Sequence, residues 1–223
     1  GPQCRRCDLS HEIANDTSSS DSRCWIHVLR PTGRGQYAFE KASTTIFEPP
    51  FTEPVTTLDI TPLPVRRLLP ITLAEMDEQA ILTVASYCRV LDHLTGMTIY
   101  RLRSHVRKSV PGVGQAELDA IDVGIASAED EMPVVFPIEA KALADALNRV
   151  QIFNMVQYAK HYFPGLTVRP LAIKVDEASV LHVMEFNSAG KASALKILKA
   201  ASYIIDTSEA QKAAITATNV PKQ

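Results

Sequence analysis

Two neighbouring stretches of this chain carry carboxylates and a lysine where apolar side chains would be expected. The first reads Ala116-Glu-Leu-Asp-Ala-Ile-Asp-Val-Gly124, the second Pro133-Val-Val-Phe-Pro-Ile-Glu-Ala-Lys141. Read as strands, alternation sets Glu117, Asp119, Ile121 and Val123 on one face of the first, with Leu118, Ala120 and Asp122 on the other. The second delivers Glu139 and Lys141 on a common face, at the end of an apolar run. Carboxylates brought together on adjacent strands repel one another and resist desolvation unless a cation lies between them. A hard divalent ion such as Mg²⁺ takes a few carboxylate oxygens and keeps water in the rest of its shell. It can polarise a phosphoryl oxygen and acidify a bound water. A lysine beside it can orient or deprotonate that water, or neutralise charge developing on a phosphate. The set therefore suits phosphodiester hydrolysis. Asp119 is preferred to Asp122 because simple alternation puts it on the face of Glu117, a choice that a bulge would reverse. Glu117 reads equally as a further ligand or as a surface charge. Glu78, on the first helix, could also reach the site, but is assigned to a solvated helical face.

These residues need a scaffold, and the flanking sequence supplies one. Thr72-Leu-Ala-Glu75 has the form of a capping box. Leu73, Met76, Ala80, Val84, Cys88 and Leu91 then recur at helical spacing, Cys88 falling on the core stripe, up to a stop at Gly96. Strands are expected at Met97–Lys108, Ala116–Ala126 and Met132–Ile138, a long helix at Leu143–Phe163, and strands at Val168–Val175 and Val180–Phe186. The order from Thr72 to Val175 is helix, three strands, helix, strand, which predicts an α/β protein with helices packed on a mixed sheet. Upstream, residues 1–70 are expected to be a β-rich segment, with strands at Trp25–Leu29 and Tyr37–Phe47 followed by a proline-spaced connector from Pro49 to Pro70. Residues 71–187 form the core in this reading. The alanine- and lysine-rich tail, 188–223, reads as helical, with Tyr203–Asp206 as an alternative short strand.

Asp119, followed after twenty residues by Glu139-Ala140-Lys141, resembles the signature of the PD-(D/E)-x-K nuclease superfamily, the restriction-endonuclease-like fold. The element order from Thr72 to Val175, about half of the chain, is similar to that family's common core. The resemblance implies that Asp119 and Glu139 ligate Mg²⁺ or Mn²⁺ and that Lys141 assists the attacking water. Many members carry a glutamine on the helix after the third strand. Gln151 matches that place better than Gln157. The implied activity is metal-dependent endonucleolytic cleavage, with DNA favoured over RNA, in restriction, repair or phage defence.

Two further clusters lie outside that signature. Cys4-Arg-Arg-Cys7 and Cys24-Trp-Ile-His27 form a C-x2-C…C-x2-H pattern with sixteen residues between the pairs. Such pairs can present two donors each to a structural Zn²⁺, with His11 an alternative fourth ligand. Against this, positions i and i+3 on a strand point to opposite faces. Arg101, Arg103, His105 and Arg107, with Lys108 beside them, are expected to line one face of a strand as phosphate contacts, or else to form an ordinary solvated face.

Over its 223 residues the chain is 46% hydrophobic and 22% charged, enough to bury a sizeable core. A net charge of −2 excludes a protein that coats nucleic acid through bulk charge, but not a nuclease with a local basic groove. No apolar stretch reaches membrane-spanning length, no membrane partner is expected, and nothing at the start resembles a signal peptide. Gly1-Pro2 reads as a cleavage remnant, so the natural start is left open. Four unevenly spaced cysteines point to a reducing, cytoplasmic setting. A homo-oligomer or a subunit of a larger system is compatible with the sequence. The alternatives to a nuclease are a non-catalytic nucleic-acid-binding module and a protein-interaction domain.

Overall fold

The computed structural model describes residues 26–33, 35–50, 55–59, 73–125 and 132–206. In chain order its strands and helices are β1 (Ile26–Gly33), β2 (Gln36–Ala42), β3 (Ile46–Phe47), β4 (Thr56–Asp59), α1 (Glu78–Tyr87), α2 (Val90–Thr95), β5 (Thr98–Val110), β6 (Gly114–Ile125), β7 (Val134–Lys141), β8 (Leu147–Asn148), α3 (Arg149–Tyr162), β9 (Thr167–Val168), β10 (Leu171–Val175), β11 (Val180–Phe186) and β12 (Ile197–Asp206). A large mixed sheet runs β4-β12-β11-β10-β7-β6-β5, with β9 added beside β7. The pairs β7–β10, β7–β9 and β4–β12 are parallel, and the others in this sheet antiparallel.

The apolar run of β7 explains its central place, since every residue from Val135 to Lys141 is buried. Its two faces feed two cores. On one, Val135 joins Leu118, Ile121, Ile152, Met155 and Val156, which seat α3. On the other, Phe136, Ile138 and Ala140 meet Ile81, Val84 and Leu94 from α1 and α2. The β1–β2 ribbon lies on the α3 side, and Phe47 packs edge-on against Phe186 at 4.8 Å. The protein is thus mixed α/β, mostly sheet with few helices. Among the described residues no helix is long and apolar enough to cross a membrane.

The helix, three strands, helix, strand order is present, with local corrections. Leu73–Glu75 is only a 3-10 turn, and α1 starts later, where the Ala80 N–H donates to the N-cap Asp77 Oδ1 at 2.8 Å. Thr72 lies outside the described residues. The expected single helix is broken at Arg89, which adopts φ 55, and the second piece stops at Gly96 (φ 72) as read. The next helix begins at Arg149 and not at Leu143, because Asn148 caps it through the Val150 N–H (2.9 Å) while Leu147–Asn148 pairs with β3. The largest correction is in the tail. Residues 207–223 lie outside the described residues, and Ile197–Asp206 is a strand and not a helix, taking in the alternative strand at Tyr203–Asp206. Its Tyr203 and Ile205 are buried in the α1 and α2 core, so burial overrides the helical propensity of alanine and lysine.

Candidate active site

The ladder between β6 and β7 ends where Ala120 pairs with Ile138. Beyond that point the strands part, and the freed Ala140 N–H donates to Asp119 Oδ2 at 2.8 Å. The next residues of β7 bring in the other groups. Glu139 is 4% exposed and Lys141 8%. Lys141 Nζ stands 2.9 Å from Glu139 Oε1 and 2.7 Å from Glu78 Oε1, which reaches over from the first turn of α1. On the other side of β7, parallel pairing sets Ala172 against Glu139 and Lys174 against Lys141. Lys174 turns away to donate to the carbonyls of Asp145 (2.6 Å) and Leu143 (3.4 Å).

Three carboxyls around one ammonium leave an excess of negative charge, and the shifts at Glu139 and Asp119 record burial first and this crowding after it. Burial, and then repulsion from Asp119, push the Glu139 carboxyl up to about 7, with Lys141 pulling the other way. Burial also raises Asp119, against the pull of the Ala140 N–H. For Lys141, desolvation opposes the charge, but Glu139 and Glu78 outweigh it and hold the ammonium above the ordinary lysine range. As folded, no group of three or more His, Cys, Asp or Glu among the described residues has a metal-holding arrangement. Lys141 itself serves as counter-ion to Glu78 and Glu139. The donor chemistry nevertheless fits a divalent ion. Asp119, Glu139 and Glu78 are hard oxygen donors, and burial first, then Asp119, raise the pKa of Glu139 and disfavour its charge where no further cation is near.

Other residues expected at the site are spread around it. Gln151 lines a cleft of about 230 Å³ together with Glu139, Glu117, Gln115 and Asn154. Glu117 borders this cleft but is 63% exposed and paired with Arg107 at 2.7 Å. Gln157 is elsewhere, donating to the Ala189 carbonyl at 3.3 Å. Asp122 is buried and bound to Arg101. The reason given for preferring Asp119 does not survive, because strict alternation fails. Leu118 and Ile121 both enter the α3 core while Ala120 enters the other, so the faces switch between them. Asp119 sits beside Glu139 because of that switch and not because it shares a face with Glu117.

The same irregularity breaks up the basic stripe. The β5–β6 register shifts between Arg101 and Arg103, and His105 has φ 48. The stripe is therefore not one-faced. Arg101 is taken by buried Asp122, Arg107 by Glu117, and Lys108 lies 5.5 Å from the centre of the Tyr162 ring. Arg103 makes no ion pair among the described residues. Of the zinc pattern, Cys4, Cys7, Cys24 and the alternative His11 lie outside the described residues. His27 is on the exposed side of β1, edge-on to Phe39 at 6.4 Å. Cys88 packs against the α1 and α2 core, and burial pushes its thiol up to about 11.

Gln115 and Asn154 are site residues that the sequence reading missed, and Glu78, weighed as able to reach the site but assigned to a solvated face, does reach it. Glu78 looks like any first-turn helical acid, and only the placement of α1 over the end of β7 distinguishes it. Asn154 Oδ1 is buried without a hydrogen-bond partner, which no sequence pattern announces. Set against protein-family models, curated proteins and solved structures, the chain matches none.

Proposed function

We propose that the chain is a divalent-metal-dependent nuclease, hydrolysing phosphodiester bonds of DNA, on a restriction-endonuclease-like core. The observation that carries this reading is the meeting of Asp119, Glu139, Lys141 and Glu78 where β6 and β7 part, with Glu139 held near neutrality. Asp119 and Glu139 would hold the Mg²⁺ or Mn²⁺, with Glu78 within reach of the same lysine. When bound, the ion would supply charge stabilisation at the phosphate and a more acidic water. Lys141, fixed on two carboxylates, would hold or donate a proton beside the attacked phosphate. Gln151 borders the Glu139 cleft and would orient the substrate there. The reading also places the protein in the cytoplasm, working alone, as a homo-oligomer or within a larger system. A structural Zn²⁺ on Cys4, Cys7, Cys24 and His27 remains part of the proposal.

One observation favours a second reading, a non-catalytic nucleic-acid-binding module on the same scaffold. The acids are already partly neutralised by Lys141, and no metal-holding group is assembled among the described residues. Plasmid nicking separates the two. Supercoiled DNA should be nicked with Mg²⁺ or Mn²⁺, left intact with EDTA, and left intact by Lys141→Ala and Glu139→Gln in every arm. Binding of plasmid without nicking in any metal would favour the second reading and overturn the first.

A further inference from the structure

The acid cleft does not end at its own walls. Gln115, which lines it, also lines a second and larger groove of about 790 Å³. One wall of this groove is the tip of the β1–β2 ribbon, with Pro31, Gly33 and Tyr37. The other is the turn between β5 and β6, with Pro111, Gly112 and Gly114. The walls meet closely at the base, where a Cβ on Gly114 would stand 3.6 Å from the Gly33 carbonyl oxygen. No charged side chain is among the described lining residues. Tyr37 is 63% exposed there, and Leu29 and the 76% exposed Phe39 form a cross-strand pair beyond it. At the junction of groove and cleft stands Arg107, exposed and 2.7 Å from Glu117 Oε1. With its amide turned to satisfy both partners, Gln115 accepts from the same guanidinium.

We propose that this groove carries an unpaired strand of nucleic acid into the acid cleft, with Tyr37 as the stacking platform for a base and Arg107 as the phosphate contact at the junction. The inference rests on the nuclease reading and names its substrate class. A duplex keeps its base faces covered, so a base that stacks on Tyr37 must already be out of the duplex stack. Base–aromatic stacking tolerates any sequence, and glycine walls let the sugar–phosphate chain pass close to the backbone. Arginine is suited to the junction because its fork can share its donors between Glu117 and a phosphate.

Fluorescence anisotropy with labelled oligo-dT and with a duplex of equal length, in EDTA so that nothing is cut, tests this. The wild-type chain should prefer the single strand. Tyr37→Ala should weaken oligo-dT binding roughly ten- to a hundredfold, change duplex binding less than twofold, and keep the wild-type melting temperature. Tyr37→Trp should retain single-strand affinity. Equal oligo-dT affinity for wild type and Tyr37→Ala overturns the groove, and wild-type plasmid nicking in the same preparation would leave the nuclease reading standing. Absence of both binding and nicking removes both. If Tyr37→Ala instead dissolves a dimer seen by sedimentation, with oligo-dT binding unchanged, the face is a self-association surface and the proposal falls.

Discussion

At the scale of single residues, the site is organised by one buried carboxyl that its surroundings hold close to neutral. Glu139 has its ordinary value near 4.5 raised to about 7, first by burial and then by Asp119. The folded chain therefore binds this proton more tightly than the unfolded chain does. The stability this confers is fully present below about pH 4.5 and is lost as the pH rises through about 7. Glu139→Gln keeps the shape and removes the charge, so it should melt with wild type near pH 5 and above wild type at pH 8. Melting curves by circular dichroism at the two pH values check this, and a gap that does not change with pH would rule it out. Because a divalent ion would relieve the same crowding, Mg²⁺ should raise the wild-type melting temperature at pH 8 and leave Glu139→Gln nearly unmoved. A gain in stability on removing the Glu139 charge would be the mark of a site built for charge.

At the scale of elements, the position of that acid depends on how β6 and β7 pack before they part. Gly124 pairs with Val134, and a Cβ added to it would stand 2.6 Å from Cε2 of Phe136. Phe136 is fully buried and lies under the Arg169 guanidinium, 5.3 Å from its ring centre, so it has little room to yield. Gly124→Ala should cost roughly 1–3 kcal/mol by overpacking, read from urea unfolding, with a normal melt excluding the tight fit. The long strands and their order were legible because apolar runs such as Val134–Ile138 bury both faces. That Glu139 and Lys141 lie together was legible too, because polar groups end the apolar run of β7, whereas the reason for choosing Asp119 was not the one the fold uses. The face assignments were not, since the irregularities at His105 and between Arg101 and Arg103 obey cross-strand packing and leave no composition signal. For the same reason the arginine stripe seemed continuous in sequence and is divided in the fold. Beyond the alternative strand at Tyr203–Asp206, β12 was hidden because its alanines and lysine favour a helix locally, while its pairing with β11 is long-range.

At the scale of the whole molecule, segments distant in sequence are joined through one buried cation. Arg149, the first residue of α3, is 2% exposed and makes no ion pair among the described residues. Its Nε donates to the Thr44 carbonyl at 2.7 Å, and its Nη1 donates to the carbonyls of Ala192 (3.0 Å) and Leu195 (2.9 Å). The guanidinium also lies 4.3 Å from the centre of the Phe47 ring. Burial lowers its pKa, with Glu40 acting in the opposite direction, so the charge is held by oriented carbonyls and an aromatic face more than by a counter-ion. One side chain thus ties the loop before β3, the start of α3 and the 3-10 turn that leads into β12. These contacts cross the expected boundaries near residues 70 and 187. Arg149→Met keeps most of the apolar stem and leaves three carbonyls without their donor, which should cost about 3 kcal/mol. Arg149→Lys should recover only part of this, because an ammonium cannot reproduce the planar fork across three acceptors. If the ribbon, α3 and β12 unfold together, urea titrations of all three proteins should show one transition with the same slope and a shifted midpoint. A second transition in Arg149→Met, with amide hydrogen exchange in β1 and β2 opening before far-UV circular dichroism changes, would show instead that the amino-terminal ribbon folds separately and that Arg149 only tethers it.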